Sequence, residues 1–401
     1  MKTTALISLA VAVLALTDAS PINRRPHPQP ISGKGVHSIP IHRNPAFKHN
    51  TPAQIAKINR RYPTANIRAA SSGNVPLTDV KNDLEYYGSV SVGTPAQVFK
   101  LDFDTGSSDI WFPSSTCTTA ACKKHNSFNS AKSSTFQKDG RKWSISYGDK
   151  SSASGILGSD LVNVGGISIR QTIGLATSES SQFGSSPEDG LFGLGFNTIE
   201  SVPGVKTFMD NAIAAGVLSQ PVVSAYLPSV RGNGGVGGAY IFGGIDSTKF
   251  VGDLTYVPVT KKGYWQVLIQ DASVNGASLG QTSQGIIDTG TTLVIVGDAA
   301  AEAIHAKIPG SVNDPSNGWL VPCSVSSSTG VVGFKMGGKT FNIALADLAY
   351  ENLNDGSGNC FSGIQGGQDG LWILGDVFIK NNYCVFSQTS SPSIGIAPLK
   401  Y

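Results

Sequence analysis

Charge is scarce in this chain. Only 14% of its 401 residues are Asp, Glu, Lys or Arg, too few for the charged helices of a coiled coil or an ordinary bundle. Histidine (6), cysteine (5) and methionine (3) are also rare. No His or Cys pair has zinc-ligand spacing, so no metal and no cofactor is expected. No apolar run approaches the ~20 residues of a membrane span, and no hydrophobic C-terminal tail offers a lipid anchor. What is plentiful is glycine, 47 residues, in a chain that is 40% hydrophobic. That mixture favours strands and tight turns, and the length exceeds one ordinary domain. An all-β class with two lobes plus processing segments is the expectation.

The few charges are unevenly placed. Lys2, the apolar stretch from Ala5 to Leu16 and the small-residue exit Thr17-Asp18-Ala19 read as a secretory signal, with cleavage after Ala19. A cut after Ser20 would put Pro21 beside the scissile bond and ranks lower. From Ser20 to Asn74 there is no acidic residue, but there are nine basic ones: Arg24, Arg25, Lys34, Arg43, Lys48, Lys57, Arg60, Arg61 and Arg68. The rest of the chain then holds 20 basic against 26 acidic residues. A basic arm can serve nucleic acid. Behind a secretory signal, a detachable pro-segment docking on an acidic body is the better reading, so neither a nucleic-acid nor a membrane partner is expected.

Five cysteines in an exported chain imply two disulfides and one thiol left over. Cys117 and Cys122 flank a Thr/Ala turn, while Cys323 and Cys360 lie in the last third. Cys384, inside the apolar run Tyr383 to Phe386, reads as a buried inert thiol. There is no Asn-x-Ser/Thr glycosylation signal.

After about Asn74 the chain runs in short alternating segments broken by Gly, Ser, Asn and Asp. Helices are expected only at Val205 to Gly216 and at Asp298 to Lys307, the latter with Asp298 as N-cap. Within this strand-rich body one pattern occurs twice. Leu101-Asp102-Phe103 leads into Asp104-Thr105-Gly106-Ser107, and Gly285-Ile286-Ile287 leads into Asp288-Thr289-Gly290-Thr291. Each is followed by two apolar residues and a glycine: Gly193 lies 89 residues past Asp104, and Gly375 lies 87 past Asp288. A single Asp-Thr-Gly is an ordinary turn. Two copies with matched second elements indicate two versions of one lobe.

Two lobes paired about a pseudo-two-fold axis bring the two loops face to face. Neighbouring carboxylates resist double ionisation, so one is neutral and one charged, sharing a proton. The charged partner can deprotonate a water while the neutral one polarises a peptide carbonyl. Gly106 and Gly290 permit close backbone approach, and the hydroxyls of Ser107 and Thr291 can hold the outer carboxylate oxygens.

The phrases Phe103 to Trp111 (FDTGSSDIW), Ile145 to Asp149 (ISYGD), Asp189 to Gly195 (DGLFGLG), Ile287 to Leu293 (IDTGTTL) and Trp372 to Asp376 (WILGD) resemble, in order, the signatures of the pepsin family. The likeness runs from about Val75 to the C-terminus. The stretches Phe242 to Phe250 and Phe378 to Phe386 look nearest to its secreted members from mucoralean fungi.

The resemblance implies a bilobal fold with the cleft between lobes, and divides the chain into signal 1–19, pro-segment 20–73, N-terminal lobe 74–250 and C-terminal lobe 251–401. It places Tyr147, Gly148 and Asp149 at the tip of a flap, with Trp111 bonded to the Tyr147 hydroxyl; from residues alone, 147–149 is only a hairpin turn. It implies that Thr105 and Thr289 cross-link the loops, that Gly193 and Gly375 lie beneath them, and that Phe183 lines the pocket for the residue before the cleaved bond. It pairs Cys117 with Cys122 and Cys323 with Cys360, and it usually has an apolar residue where Cys384 stands. It assigns Asp149 to acceptance of lysine, and a base near Lys57 to Arg61, with Arg61 preferred, to blocking the carboxylates. The expected protein is a secreted, monomeric acid endopeptidase acting on proteins and peptides and inhibited by its own pro-segment. A pepsin-fold binding protein without catalysis is the rival.

Overall fold

The computed structural model describes residues 35–43, 86–147, 151–227, 229 and 238–400. The signal, the rest of the basic segment including Arg61, and Gly148 and Asp149 therefore lie outside the described residues. What is described is β-rich, in keeping with a bilobal pepsin-like fold. Among the described residues there are three α-helices, Phe208–Ala214, Asp298–His305 and Asp376–Ile379, and no helix is long and apolar enough to cross a membrane.

Alternation in sequence becomes alternation of faces. Tyr86–Val92 buries Tyr86, Gly88, Val90 and Val92 on one side, and it pairs antiparallel with Gln97–Asp104. The N-terminal half continues through Gly190–Gly193, Ile110–Pro113, Ile167–Glu179, Ser152–Val164 and Gln137–Ser146. Its core is aromatic: Phe99 stacks on Phe112 at 4.4 Å, and Phe103 on Phe192 at 4.7 Å. The C-terminal half is built on three smaller sheets of five, four and four strands.

A six-stranded antiparallel layer joins the halves. Its order is Thr255–Pro258, Ser393–Pro398, Asn382–Ser387, Val222–Tyr226, Ala239–Phe242 and His37–Arg43. The last of these belongs to the basic segment before Asn74. Its first residues pair with Ala239–Phe242 and its last with Tyr86, Tyr87 and Gly88, while Ile39 and Ile41 are buried in the core.

The helices differ from expectation in their caps. Phe208–Ala214 is shorter than the stretch its periodicity marks, because Thr207 and Asp210 form a capping box that sets its start. In Asp298–His305 the N-cap is Gly297, and Asp298 is already helical. A remote residue does the capping: the Asp369 carboxylate accepts the Asp298 N–H at 3.2 Å. A Cβ on Gly297 would lie 2.6 Å from that same Asp369 oxygen, so a larger residue there would push the capping carboxylate aside.

Candidate active site

Each Asp-Thr-Gly loop is set by the same three strands. Gln97–Asp104 runs parallel to Gly190–Gly193, with Asp104 opposite Gly193, and the returning strand Ile110–Pro113 pairs antiparallel on the far side. In the other half Ser283–Ile287 runs parallel to Leu371–Leu374, and Val294–Ile295 returns antiparallel. The loop thus bends over the end of its parallel neighbour. Glycine is required where the two cross. A Cβ on Gly193 would lie 2.2 Å from the Ser108 carbonyl carbon, and one on Gly375 would lie 2.1 Å from the Thr291 carbonyl oxygen. The matched spacing in sequence is this crossing, made twice.

Both carboxylates are fully buried and have matching donors. Asp104 Oδ1 accepts the Gly106 N–H at 2.8 Å, and its Oδ2 accepts the Ser107 hydroxyl at 2.5 Å. Asp288 accepts the Gly290 N–H at 3.0 Å and the Thr291 hydroxyl at 2.6 Å. These matching donors hold the plane of each carboxylate.

The loops are tied to each other through the threonines. The Thr105 N–H donates to Thr289 Oγ1 at 3.0 Å, and the Thr289 N–H donates to Thr105 Oγ1 at 2.9 Å. Each hydroxyl donates onward across the interface, Thr105 to the Ile287 carbonyl at 2.9 Å and Thr289 to the Phe103 carbonyl at 2.6 Å. Each of these four bonds has its counterpart in the other lobe, so the two loops hold one fixed relation.

One wall beside the carboxylates is aromatic. The Trp111 Nε1–H donates to the Tyr147 hydroxyl at 2.5 Å, and Phe183 meets the rings of Trp111 and Tyr147 edge to face at 5.0 and 5.9 Å. Phe183 sits on the short turn Ser181–Ser185. That turn is braced from the disulfide Cys117–Cys122: Lys124 Nζ donates to the Gly184 carbonyl at 2.8 Å, and His125 Nε2 to that of Phe183 at 3.0 Å. Cys323 and Cys360 form the second disulfide. Cys384 is a buried free thiol, and burial pushes its ionisation far up.

Asp109 is a site residue that the sequence reading passed over. It is buried, accepts the Trp143 Nε1–H at 2.8 Å, and receives the Ser201 N–H and hydroxyl at 3.1 and 2.9 Å. Trp143 in turn packs on Trp111 at 5.8 Å, so Asp109 holds the aromatic wall from behind. Burial raises its pKa above the usual carboxylate value despite these donors. A signal existed in the repeat: the residue equivalent to Asp109 in the second copy is Leu293, so the carboxylate serves one lobe only.

Two hydrogen-bonded, buried carboxylates on facing loops are equipped for general acid and base work on a shared water. Among the described residues no group of three or more His, Cys, Asp or Glu is placed to hold a metal ion. The model of the eukaryotic aspartyl protease family matches residues 85–399. Rhizopuspepsin-1 of Rhizopus niveus is 45% identical, and rhizopuspepsin of Rhizopus chinensis 42% identical, each comparison covering 98% of both chains. Syncephapepsin of Syncephalastrum racemosum is 39% identical over the whole of both. The chain belongs to the eukaryotic aspartyl protease family and is an aspartic-type endopeptidase.

Proposed function

We propose that Asp104 and Asp288 share one proton and hydrolyse internal peptide bonds of proteins in acid. The observation that carries this is the reciprocal bonding of Thr105 and Thr289, which sets two equivalent carboxylate loops against each other. The charged aspartate takes a proton from water, whose oxygen attacks the peptide carbon, while the neutral aspartate donates its proton to the carbonyl oxygen. Collapse of the tetrahedral intermediate breaks the C–N bond, and a proton passes to the leaving amine. No covalent enzyme intermediate forms. Hydrolysis of a denatured protein at acid pH, blocked by a statine-type mimic of the tetrahedral state, tests this. Absent hydrolysis, or hydrolysis indifferent to that mimic, favours the non-catalytic binding protein.

The protein is made for secretion as a monomeric zymogen: signal 1–19, pro-segment 20–73, lobes 74–250 and 251–401. Support comes from the nine basic charges of the segment, set against an acidic body, and from the seat of His37–Arg43 between strands of that body. Acid protonates Asp and Glu on the body and weakens the attraction, so activation follows acidification, with release between Arg68 and Asn74 and Arg61 as the blocking base. Precursor that keeps its N-terminus for hours at pH 3 would contradict this. Bulky apolar residues are preferred before the cleaved bond, in the pocket of Phe183 and Tyr147, and Asp149 extends acceptance to lysine. Asp149→Thr should lose cleavage after Lys and keep cleavage after Phe or Leu; equal loss of both sinks that assignment.

A further inference from the structure

The six-stranded layer that joins the halves is not symmetric in what it offers the two catalytic loops. Its central strands are Val222–Tyr226 and Asn382–Ser387, flanked by Ala239–Phe242 on one side and Ser393–Pro398 on the other. Tyr240, on the first flank, is buried, and its ring stacks on that of Phe103 with centroids 5.0 Å apart. Its hydroxyl donates to the Phe103 carbonyl at 3.0 Å. On the second flank Ser393–Pro398 places Ile394 and Ile396 in the same core, and isoleucine has no side-chain donor.

The Phe103 carbonyl therefore has two hydroxyl donors, Tyr240 and, at 2.6 Å, Thr289. Among the described residues its counterpart, the Ile287 carbonyl, takes one side-chain donor, the Thr105 hydroxyl at 2.9 Å. Each carbonyl belongs to the peptide group that leads into a catalytic residue, Phe103 into Asp104 and Ile287 into Asp288. That group is planar, so whatever holds the carbonyl holds the start of the Asp-Thr-Gly loop. A carbonyl oxygen has two lone pairs, and with both engaged it keeps one partner when the other is lost.

We infer that Tyr240 is a positioning residue for Asp104, and that through it the two catalytic loops are held unequally: loss of the Thr289 hydroxyl leaves the Phe103 carbonyl a donor, whereas loss of the Thr105 hydroxyl leaves the Ile287 carbonyl none. The inference rests on the endopeptidase reading and adds to its machinery a residue from the layer beneath. Tyr240 is fully enclosed and acts through the main chain of Phe103.

Counting stranded groups gives the sign of the inequality. Thr105→Val removes the acceptor of the Thr289 N–H and the donor to the Ile287 carbonyl, so two buried groups lose their partners. Thr289→Val removes the acceptor of the Thr105 N–H, but Tyr240 still serves the Phe103 carbonyl, so one group is stranded. In a Tyr240→Phe background, which keeps the ring stacked on Phe103, each replacement strands two. An unpaired buried polar group is costly, and here it lies one peptide from a catalytic carboxylate.

The test compares Thr105→Val with Thr289→Val, in the wild type and in Tyr240→Phe, by kcat and KM of the acid-treated protein on one peptide substrate and by Tm. In the wild type Thr105→Val should lower kcat by about fivefold more than Thr289→Val, with the lower Tm and with KM little changed. In Tyr240→Phe the two replacements should become equal. Equal losses in the wild type overturn the inference, and so does a difference that persists in Tyr240→Phe. Tyr240→Phe by itself requires neither valine variant to fold. It should lower kcat by about two- to threefold at constant KM, because the peptide then has one tether in place of two. Tyr383→Phe is the control: it removes another buried hydroxyl of the same layer, the acceptor of the Asp246 N–H at 3.0 Å, from a separate cluster, and should leave kcat as it is. Unchanged kcat in Tyr240→Phe, or an equal fall in Tyr383→Phe, overturns the positioning role. A wild type that cleaves no peptide overturns the endopeptidase reading, and this inference with it.

Discussion

Thr105 and Thr289 each accept the other's backbone N–H, at 2.9 and 3.0 Å, across the interface between the lobes. Both side chains are buried, so removing one hydroxyl strands an N–H and a carbonyl at once. Thr105→Val should cost roughly 2–3 kcal/mol and lower Tm by several degrees, while Thr105→Ser stays near the wild type. Thermal unfolding at one acid pH measures it. Equal Tm for Val and Ser would mean that the bonds contribute nothing net.

The Trp111–Tyr147 bond makes a separate prediction. Tyr147→Phe keeps the ring against Phe183 but leaves the Trp111 Nε1–H, inside a buried wall, without its acceptor. A fall of about tenfold in kcat/KM for peptide substrates is expected, about 1.4 kcal/mol in transition-state terms, at temperatures where the unfolding curve shows the variant folded, beside the drop in Tm that one stranded buried N–H brings. Steady-state kinetics beside an unfolding curve separates this from simple destabilisation.

Stability should peak between two titrations of opposite sign. Burial, with the charges of Asp109 and Asp210, raises Glu200 from 4.5 to about 9. The folded chain therefore holds that proton where the unfolded chain has lost it. This contribution is intact below pH 4.5 and declines as pH rises toward 9. His305 works the other way. It is buried, stacked on Trp319 at 4.3 Å and bonded to the Ala301 carbonyl and the Ser362 hydroxyl. Burial lowers its pKa from 6.5 to about 4. Protons then favour the unfolded chain, and stability falls as pH drops from 6.5 to 4, by up to on the order of 3 kcal/mol. Glu200→Gln should flatten the alkaline limb of a Tm-against-pH curve, and His305→Gln the acid limb. Parallel curves for variants and wild type would contradict both.

Cys384 should be silent until the protein unfolds. It lies at the centre of Asn382–Ser387, fully buried, with its thiol turned to the Asn382 carbonyl at 3.5 Å. Thiol titration of the folded protein without reductant should find no reactive cysteine, and titration in denaturant should find one. Two or more would show that a disulfide is open.

The repeat was legible in sequence because the chemistry needs the same local build twice. An apolar strand, Asp-Thr-Gly and a crossing glycine are all short-range features, and their outcome is the matched crossings at Gly193 and Gly375. The layer joining the halves was not legible. The apolar run Tyr383 to Phe386 is strand-like in sequence, yet nothing in it names Val222–Tyr226, some 160 residues away, as the partner of Asn382–Ser387. The same limit hid the cap of Asp298–His305, supplied by Asp369 from 71 residues away. Asp109 escaped for a related reason. An acidic residue reads as exposed until the fold shows what encloses it, and only the Asp109–Leu293 mismatch between repeats hinted otherwise. The Trp111–Tyr147 bond is the one the resemblance implied; the packing of Phe183 against both rings was not foreseen, and spacing alone required neither.

The central claim is that Asp104 and Asp288 are two halves of one catalytic group. The most direct measurement is kcat/KM of the acid-treated protein on one peptide substrate for the wild type, Asp104→Asn and Asp288→Asn, with folding of each checked by its unfolding curve. The account predicts that each single replacement lowers activity by at least about 10³-fold, and that the double replacement lowers it hardly further, because groups acting as a unit are not additive. Either variant working within about tenfold of the wild type while folded would contradict it.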